Sequence, residues 1–111
     1  MRPPSKGPRV HVLQPGELVP PEPGTRVVEL SGVRDETTFH HRIAAALGFP
    51  DYYGRNLDAL WDCLTELDSP VELRWSGWAD FAVHHPDAWA RVIGVLAERA
   101  AEPGFVLICV T

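Results

Sequence analysis

Nowhere does the chain contain an apolar run of about 18 residues, the length that a membrane-spanning helix requires. Its first residues also lack the apolar stretch of a secretory signal, so the expected location is the cytoplasm, with no membrane partner. A glycine-rich phosphate loop and a G-x-S-x-G nucleophile turn are both missing, which removes two common routes to nucleotide and acyl chemistry. Cysteine is scarce: Cys63 and Cys109 are the two, in apolar contexts and without C-x-x-C spacing, so both are expected as buried thiols. Positive charge is short as well, with 10 Lys and Arg against 15 Asp and Glu, a formal net charge of −5 and a pI near 5.4. A nucleic-acid binder needs a basic patch to neutralise phosphates, so this balance argues against nucleic acid and favours a basic partner.

Four of the five histidines come as two adjacent pairs, His40-His41 and His84-His85. Adjacent helix positions point about 100° apart, so neither pair can chelate one metal through both rings. These histidines are expected on the surface or in loops, and no metal or cofactor is expected.

What is present fits one domain. At 111 residues and 45% hydrophobic, a chain can bury roughly 60% or more of its unfolded surface around a single core. Seven of the eleven prolines fall in residues 1–25, and Pro20-Pro21-Glu22-Pro23-Gly24 can continue neither a helix nor a central strand. Residues 1–25 therefore read as a Pro-rich arm, in which Arg9-Val10-His11-Val12-Leu13 alternates enough to add an edge strand. Residues 26–111 read as the folded domain. Arg26–Leu30 is β-branched and ends at Ser31-Gly32, as a strand and turn would. A helix follows, capped by Asp35, with Phe39, Ile43, Ala46 and Leu47 on one side and Gly48 at its end. Another begins near Leu57. Pro70–Trp75 places Val71, Leu73 and Trp75 on one face of a strand. Pro86 opens a further helix carrying Trp89, Val92, Ile93, Leu96 and Ala100, which stops at Pro103-Gly104. Phe105–Val110 is apolar throughout, as a strand covered on both faces would be. Strands separated by helices imply an α/β fold with a small parallel sheet.

The most informative stretch is Tyr52-Tyr53-Gly54-Arg55-Asn56-Leu57-Asp58-Ala59-Leu60-Trp61-Asp62-Cys63-Leu64. Asn56 is a good N-cap, and Gly54 before it lets the chain turn in. Leu57, Leu60, Trp61 and Leu64 share one stripe of the ensuing helix, and Asp58, Asp62 and Glu66 form a second stripe beside it. Trp61 borders both. A charge stripe is also what any solvated helix face looks like, but two tyrosines and a border tryptophan beside carboxylates are residue types typical of interface hot spots. From Asp51 to Glu72 there are six acids and a single base, Arg55. Such a field would steer a cationic protein. Asp58 and Asp62 also sit at a separation that glycoside hydrolysis uses. A short exposed helix, however, offers no deep cleft to split their pKa values, so an enzyme is not expected.

This run, with Phe49-Pro50-Asp51 before it and Thr65 after it, resembles the signature of the barstar family, small intracellular bacterial inhibitors of secreted ribonucleases. The resemblance extends more weakly over residues 26–111. It implies a barstar-like α/β fold with a three-stranded parallel sheet packed by helices, extended here by the N-terminal Pro-rich segment. It implies a one-to-one complex with a secreted microbial ribonuclease that prefers guanyl sites and has a cationic active site. Position by position, Asp62 would stand where the substrate phosphate sits and Asp58 would reinforce it one turn earlier. Tyr52 would pack on the rim of the site, Gly54 would permit close backbone approach, and Asn56 would fix the helix start. Leu57, Trp61 and Thr65 belong to the same partner-binding set, and Glu98 falls where the family has a further acidic contact. The chain departs from the pattern in its proline-rich arm, in a short connection from Glu66 to Ser69, and in Trp78–His85. The alternative is a binding module of the same fold with a different partner.

Overall fold

The computed structural model describes residues 9–17 and 19–111. Residues 1–8 and 18, part of the stretch read as an arm, lie outside them. The elements are β1 (Val10–Leu13), β2 (Arg26–Leu30), α1 (Glu36–Leu47), α2 (Leu57–Thr65), β3 (Val71–Ser76), α3 (Trp78–His84), α4 (Pro86–Ala100) and β4 (Phe105–Val110).

Local chemistry explains the boundaries. Asp35 caps α1 by accepting from Thr38 N at 2.8 Å, the Thr38 hydroxyl closes the box, and Gly48 ends the helix at φ 70°. That left-handed turn is one glycine makes without crowding. Pro86 sits in the first turn of α4, where its missing N–H costs nothing.

All four strands are parallel in the order β1-β4-β3-β2. The expected sheet had three strands; the fourth is Val10–Leu13, which pairs with β4. Without it the outer edge of β4 would present unpaired N–H and C=O groups, a liability for any edge strand. Register lines up Val10, Leu107, Leu73 and Val28 across the sheet, and then Val12, Cys109, Trp75 and Leu30. These rows face the helices, where most of them join the core. Trp75 is its centre, fully buried with ring centroids 5.4 Å from Phe39, 5.8 Å from Phe81 and 5.4 Å from Trp89.

The opposite face carries Glu72, Arg74, Val106 and Ile108. Because β1 and β2 lie at opposite edges, the connection between them must cross the sheet. Val19 in that connection accepts from Arg74 Nη2 at 2.8 Å, while Arg74 Nε is 2.6 Å from Glu72 Oε2. Val19, Pro20, Glu22 and Pro23 share a pocket with Glu72, Val106 and Ile108. The proline-rich residues thus lie over the second face, and Glu72 is buried there with its charge paired. Ile108 is fully buried, as a strand covered on both sides requires.

Candidate functional site

The site begins with the loop that delivers α2. Phe49 and Tyr53 pack with ring centroids 5.0 Å apart, and Tyr53 is buried in the core. Its hydroxyl shares a hydrogen bond with His40 Nδ1 of α1. His40 is 3% exposed, which corrects the expectation of a surface histidine. Its position on the same side of α1 as Phe39 and Ile43 carries it inward, where Tyr53 pairs with Nδ1 while the buried Nε2 has no hydrogen-bond partner among the described residues and lies 3.7 Å from Glu36 Oε2. Burial pulls the His40 pKa below its ordinary value, and burial pushes that of Tyr53 well up. The two tyrosines consequently part company: Tyr53 anchors the loop, and Tyr52 beside it is 84% exposed.

The chain then turns into the helix. Gly54 is the residue expected to let the chain turn in, but the left-handed step is made by Arg55, at φ 54°. Gly54 has a different reason for its lack of a side chain: a Cβ there would sit 3.2 Å from Asn56 Nδ2 and 3.6 Å from Ala59 Cβ. Asn56 caps α2 by accepting from Ala59 N at 2.8 Å. Asp58 stands in the first turn, where the helix dipole favours a carboxylate.

Inside α2 only Leu60 and Leu64 are fully buried. Leu57 and Trp61, on the same stripe, are half-buried, and Asp58, Asp62 and Glu66 are exposed. The far end is fixed by a residue that the sequence reading passed over. Arg99 of α4 is buried, donates from Nε to the Leu64 carbonyl at 3.0 Å, and donates from Nη1 to the carbonyls of Pro103 at 3.1 Å and Glu102 at 3.3 Å. It places a cation on a carbonyl of the last turn of α2, which otherwise accepts only the long 3.5 Å bond from Leu67 N and the shared Glu66 N–H, at the end where the helix dipole favours positive charge. The available signal was its spacing: Arg99 falls seven residues after Val92 and three after Leu96, on the apolar stripe of α4, where a charge is out of place.

Packing of α4 against α2 brings Leu57, Asp58, Trp61, Asp62, Val95 and Glu98 around one open recess. Glu98 reaches Asp58 and Asp62 only through this tertiary contact. None of the three carboxylates makes an ion pair or hydrogen bond among the described residues. Thr65, at the end of α2, is exposed and donates its hydroxyl to the Asp62 carbonyl at 2.8 Å. Tyr52, Gly54, Asn56 and Thr65 do not line the recess; they flank it along the loop and helix. Cys63 is half-buried on α2, and burial with the nearby charges of Glu66 and Asp62 raises its pKa, which keeps it a thiol. Burial holds Cys109 at about 11. Among the described residues no group of His, Cys, Asp and Glu is arranged to hold a metal, and no helix is long and apolar enough to cross a membrane.

A half-buried tryptophan beside unpaired carboxylates in one open recess suits the capture of cations on a partner's surface. Comparisons with known proteins identify relatives of the chain. A protein of Bacillus subtilis (strain 168) named "Putative ribonuclease inhibitor YrdF" is 63% identical over 35 residues, a match covering 31% of this chain and 38% of that protein. This chain therefore spans well under half the length of that relative. The family model described as Barstar (barnase inhibitor) matches residues 24–110, from the approach to β2 through the end of β4. With most of its length accounted for by that match, the chain belongs to the barstar family, whose members are ribonuclease inhibitors and not enzymes.

Proposed function

We propose that this protein inhibits a secreted, guanyl-specific bacterial ribonuclease, protecting the cell that makes the enzyme. The residues from 26 to 111 carry the inhibitory surface, and the complex is one-to-one and forms in the cytoplasm. One observation supports this reading above the others: Asp58, Asp62 and Glu98 converge, exposed and without internal partners, on the recess floored by Leu57 and Trp61.

A ribonuclease must gather cationic side chains around the scissile phosphate. Carboxylates presented on a rigid helix occupy the same place and accept charge-assisted hydrogen bonds from those cations. Asp62, central on α2, stands in for the phosphate, and Asp58 and Glu98 flank it. Tyr52 covers the rim of the enzyme's site, and Trp61 supplies apolar area beside the acids. Gly54, Asn56 and Thr65 hold the backbone close and the helix in place. No bond is made or broken; inhibition is steric and electrostatic. An ion pair at 4 Å is worth about 4 kcal/mol at an effective dielectric of 20, before desolvation is subtracted. Nanomolar binding needs about 12 kcal/mol. Several anchors are therefore required, which is what a recess with three acids and three apolar side chains provides.

The test is a titration of the protein against a guanyl-specific secreted bacterial ribonuclease, with RNA cleavage as the readout and Asp62→Ala measured alongside at two salt concentrations. Stoichiometric inhibition that collapses in the variant and weakens with salt is the expected result. A folded wild type that leaves several such enzymes fully active would sink the reading.

A further inference from the structure

Two recesses of opposite character flank the start of α2. The first is the acidic one. The second is lined by Glu36 and Thr37 of α1, by His40, and by Gly54 and Arg55 of the loop. In the second, the Glu36 carboxylate is held by Arg91 at 2.8 Å and lies 3.7 Å from His40 Nε2. Burial disfavours a charged His40, so the Arg55 guanidinium is the uncompensated charge of this recess.

Arg91, Arg99 and Arg55 differ in what they do. Arg91 pairs with Glu36, and Arg99 holds three carbonyls. Arg55 is exposed and makes no hydrogen bond or ion pair among the described residues. Its backbone adds a second observation. At φ 54° it is the one non-glycine residue with positive φ among the described residues. In that region Cβ crowds the following carbonyl oxygen, and glycine would make the same turn without the penalty. The fold thus holds a long cationic side chain at a position where the backbone would prefer none, and uses that side chain for nothing internal. Strain of this kind is characteristic of recognition sites.

We propose that Arg55 is a specificity-determining residue of the interface: it pairs with a carboxylate on the rim of the partner ribonuclease, just outside the cationic cleft that receives Asp62. The surface then reads two features of its partner in a fixed order, a cluster of cations and, one step away along the loop, an anion. Enzymes with the cations but a neutral or basic rim are rejected by the same cation that rewards an acidic one, because like charges brought together at an interface repel. This inference rests on the inhibitor reading.

The experiment measures association and dissociation rates with a ribonuclease that the wild type inhibits, at low and moderate salt, for wild type, Arg55→Gln, Arg55→Gly and Arg55→Glu. Unchanged thermal unfolding of the glutamine and glutamate variants shows that the fold is intact. The expected order of affinity is wild type, then Gln and Gly together, then Glu, with Arg55→Glu associating about tenfold more slowly than wild type at low salt and the gap narrowing as salt rises. Replacing the acidic rim residue of the enzyme by lysine should restore binding to Arg55→Glu. Equal affinity for wild type and Arg55→Glu overturns the proposal and leaves the inhibitor reading standing, because the wild type still inhibits. A wild type that inhibits no such enzyme overturns both.

Discussion

Helices α2 and α4 pack against each other in one core, yet they hold their places by different means. α4 has fifteen residues and buries Ala88, Val92, Leu96, Arg99 and Ala100, so the burial of its own side chains fixes it. α2 has nine residues and fully buries two, Leu60 and Leu64. A helix so short is marginal by itself. It is pinned at its ends instead, by the Asn56 cap at the start and by Arg99 on the Leu64 carbonyl at the finish. The difference teaches where function can be placed. Because its stability comes from its ends and two leucines, the outward face of α2 is free to carry like charges with no internal role.

That contrast is open to attack at several points. The largest effect expected is on binding: Asp62→Ala should cost about 4 kcal/mol, roughly a thousandfold in affinity, while leaving stability within about 0.5 kcal/mol of wild type. Titration calorimetry together with urea unfolding checks both halves, and an equal loss in each would erase the distinction between the outward face and the core. Next comes the far anchor. Arg99→Ala removes the side-chain donor from three carbonyls and a cation lying 5.8 Å from the Phe105 ring, so unfolding in urea should show a loss of about 2 to 3 kcal/mol. Inhibition should suffer too, since α2 frays at that end; a variant as stable as wild type would show that Arg99 does not hold the helix. The near anchor is worth less: Asn56→Ala should lower stability by about 1 kcal/mol. If Asn56→Asp, which keeps the cap, behaves like the alanine variant, capping is not the cause.

The smallest effect is a slope with pH. Burial holds His40 below its ordinary pKa of 6.5, so the unfolded chain takes up its proton first as pH falls. Stability contributed by neutral His40 is complete above 6.5 and is lost as pH drops from there through the lower folded value. Glu36 opposes the shift, while His41 and Arg55 add to it. Unfolding free energies measured between pH 7.5 and 5 should decline for wild type and decline less for His40→Gln; parallel curves would remove His40 from the account.

Much of this was legible before any coordinates. The caps Asp35 and Asn56, the stop at Gly48, the opening Pro86 and the alternation in Val71–Trp75 are local signals. Each is set by the hydrogen bonding or backbone freedom of a few neighbouring residues. Short α3 was not foreseen, since seven residues give too little periodicity to read, although Phe81 is buried and Trp78 stacks on Trp89 at 5.3 Å. Gly54 reads as the residue that lets the chain turn in, whereas the positive φ falls on Arg55, because sequence favours glycine for such turns. His40 was read as a surface residue because its partner, Tyr53, is thirteen positions away.

By itself the sequence determined the elements other than α3, the acidic stripe of α2 and the resemblance to a family of ribonuclease inhibitors, all properties of contiguous residues. The alternation in Arg9–Leu13 offered an edge strand, but tertiary structure decided that Val10–Leu13 pairs with β4, that the proline-rich connection covers the second face of the sheet, that Glu98 joins Asp58 and Asp62, and that Arg99 anchors α2. Each of these pairs residues far apart in the chain, and only the packing of α4 on α2 and the closing of β1 on β4 bring them within reach. Local propensity extends over a few residues, and contacts across the fold are fixed by burial and by the need to pair every polar group left inside.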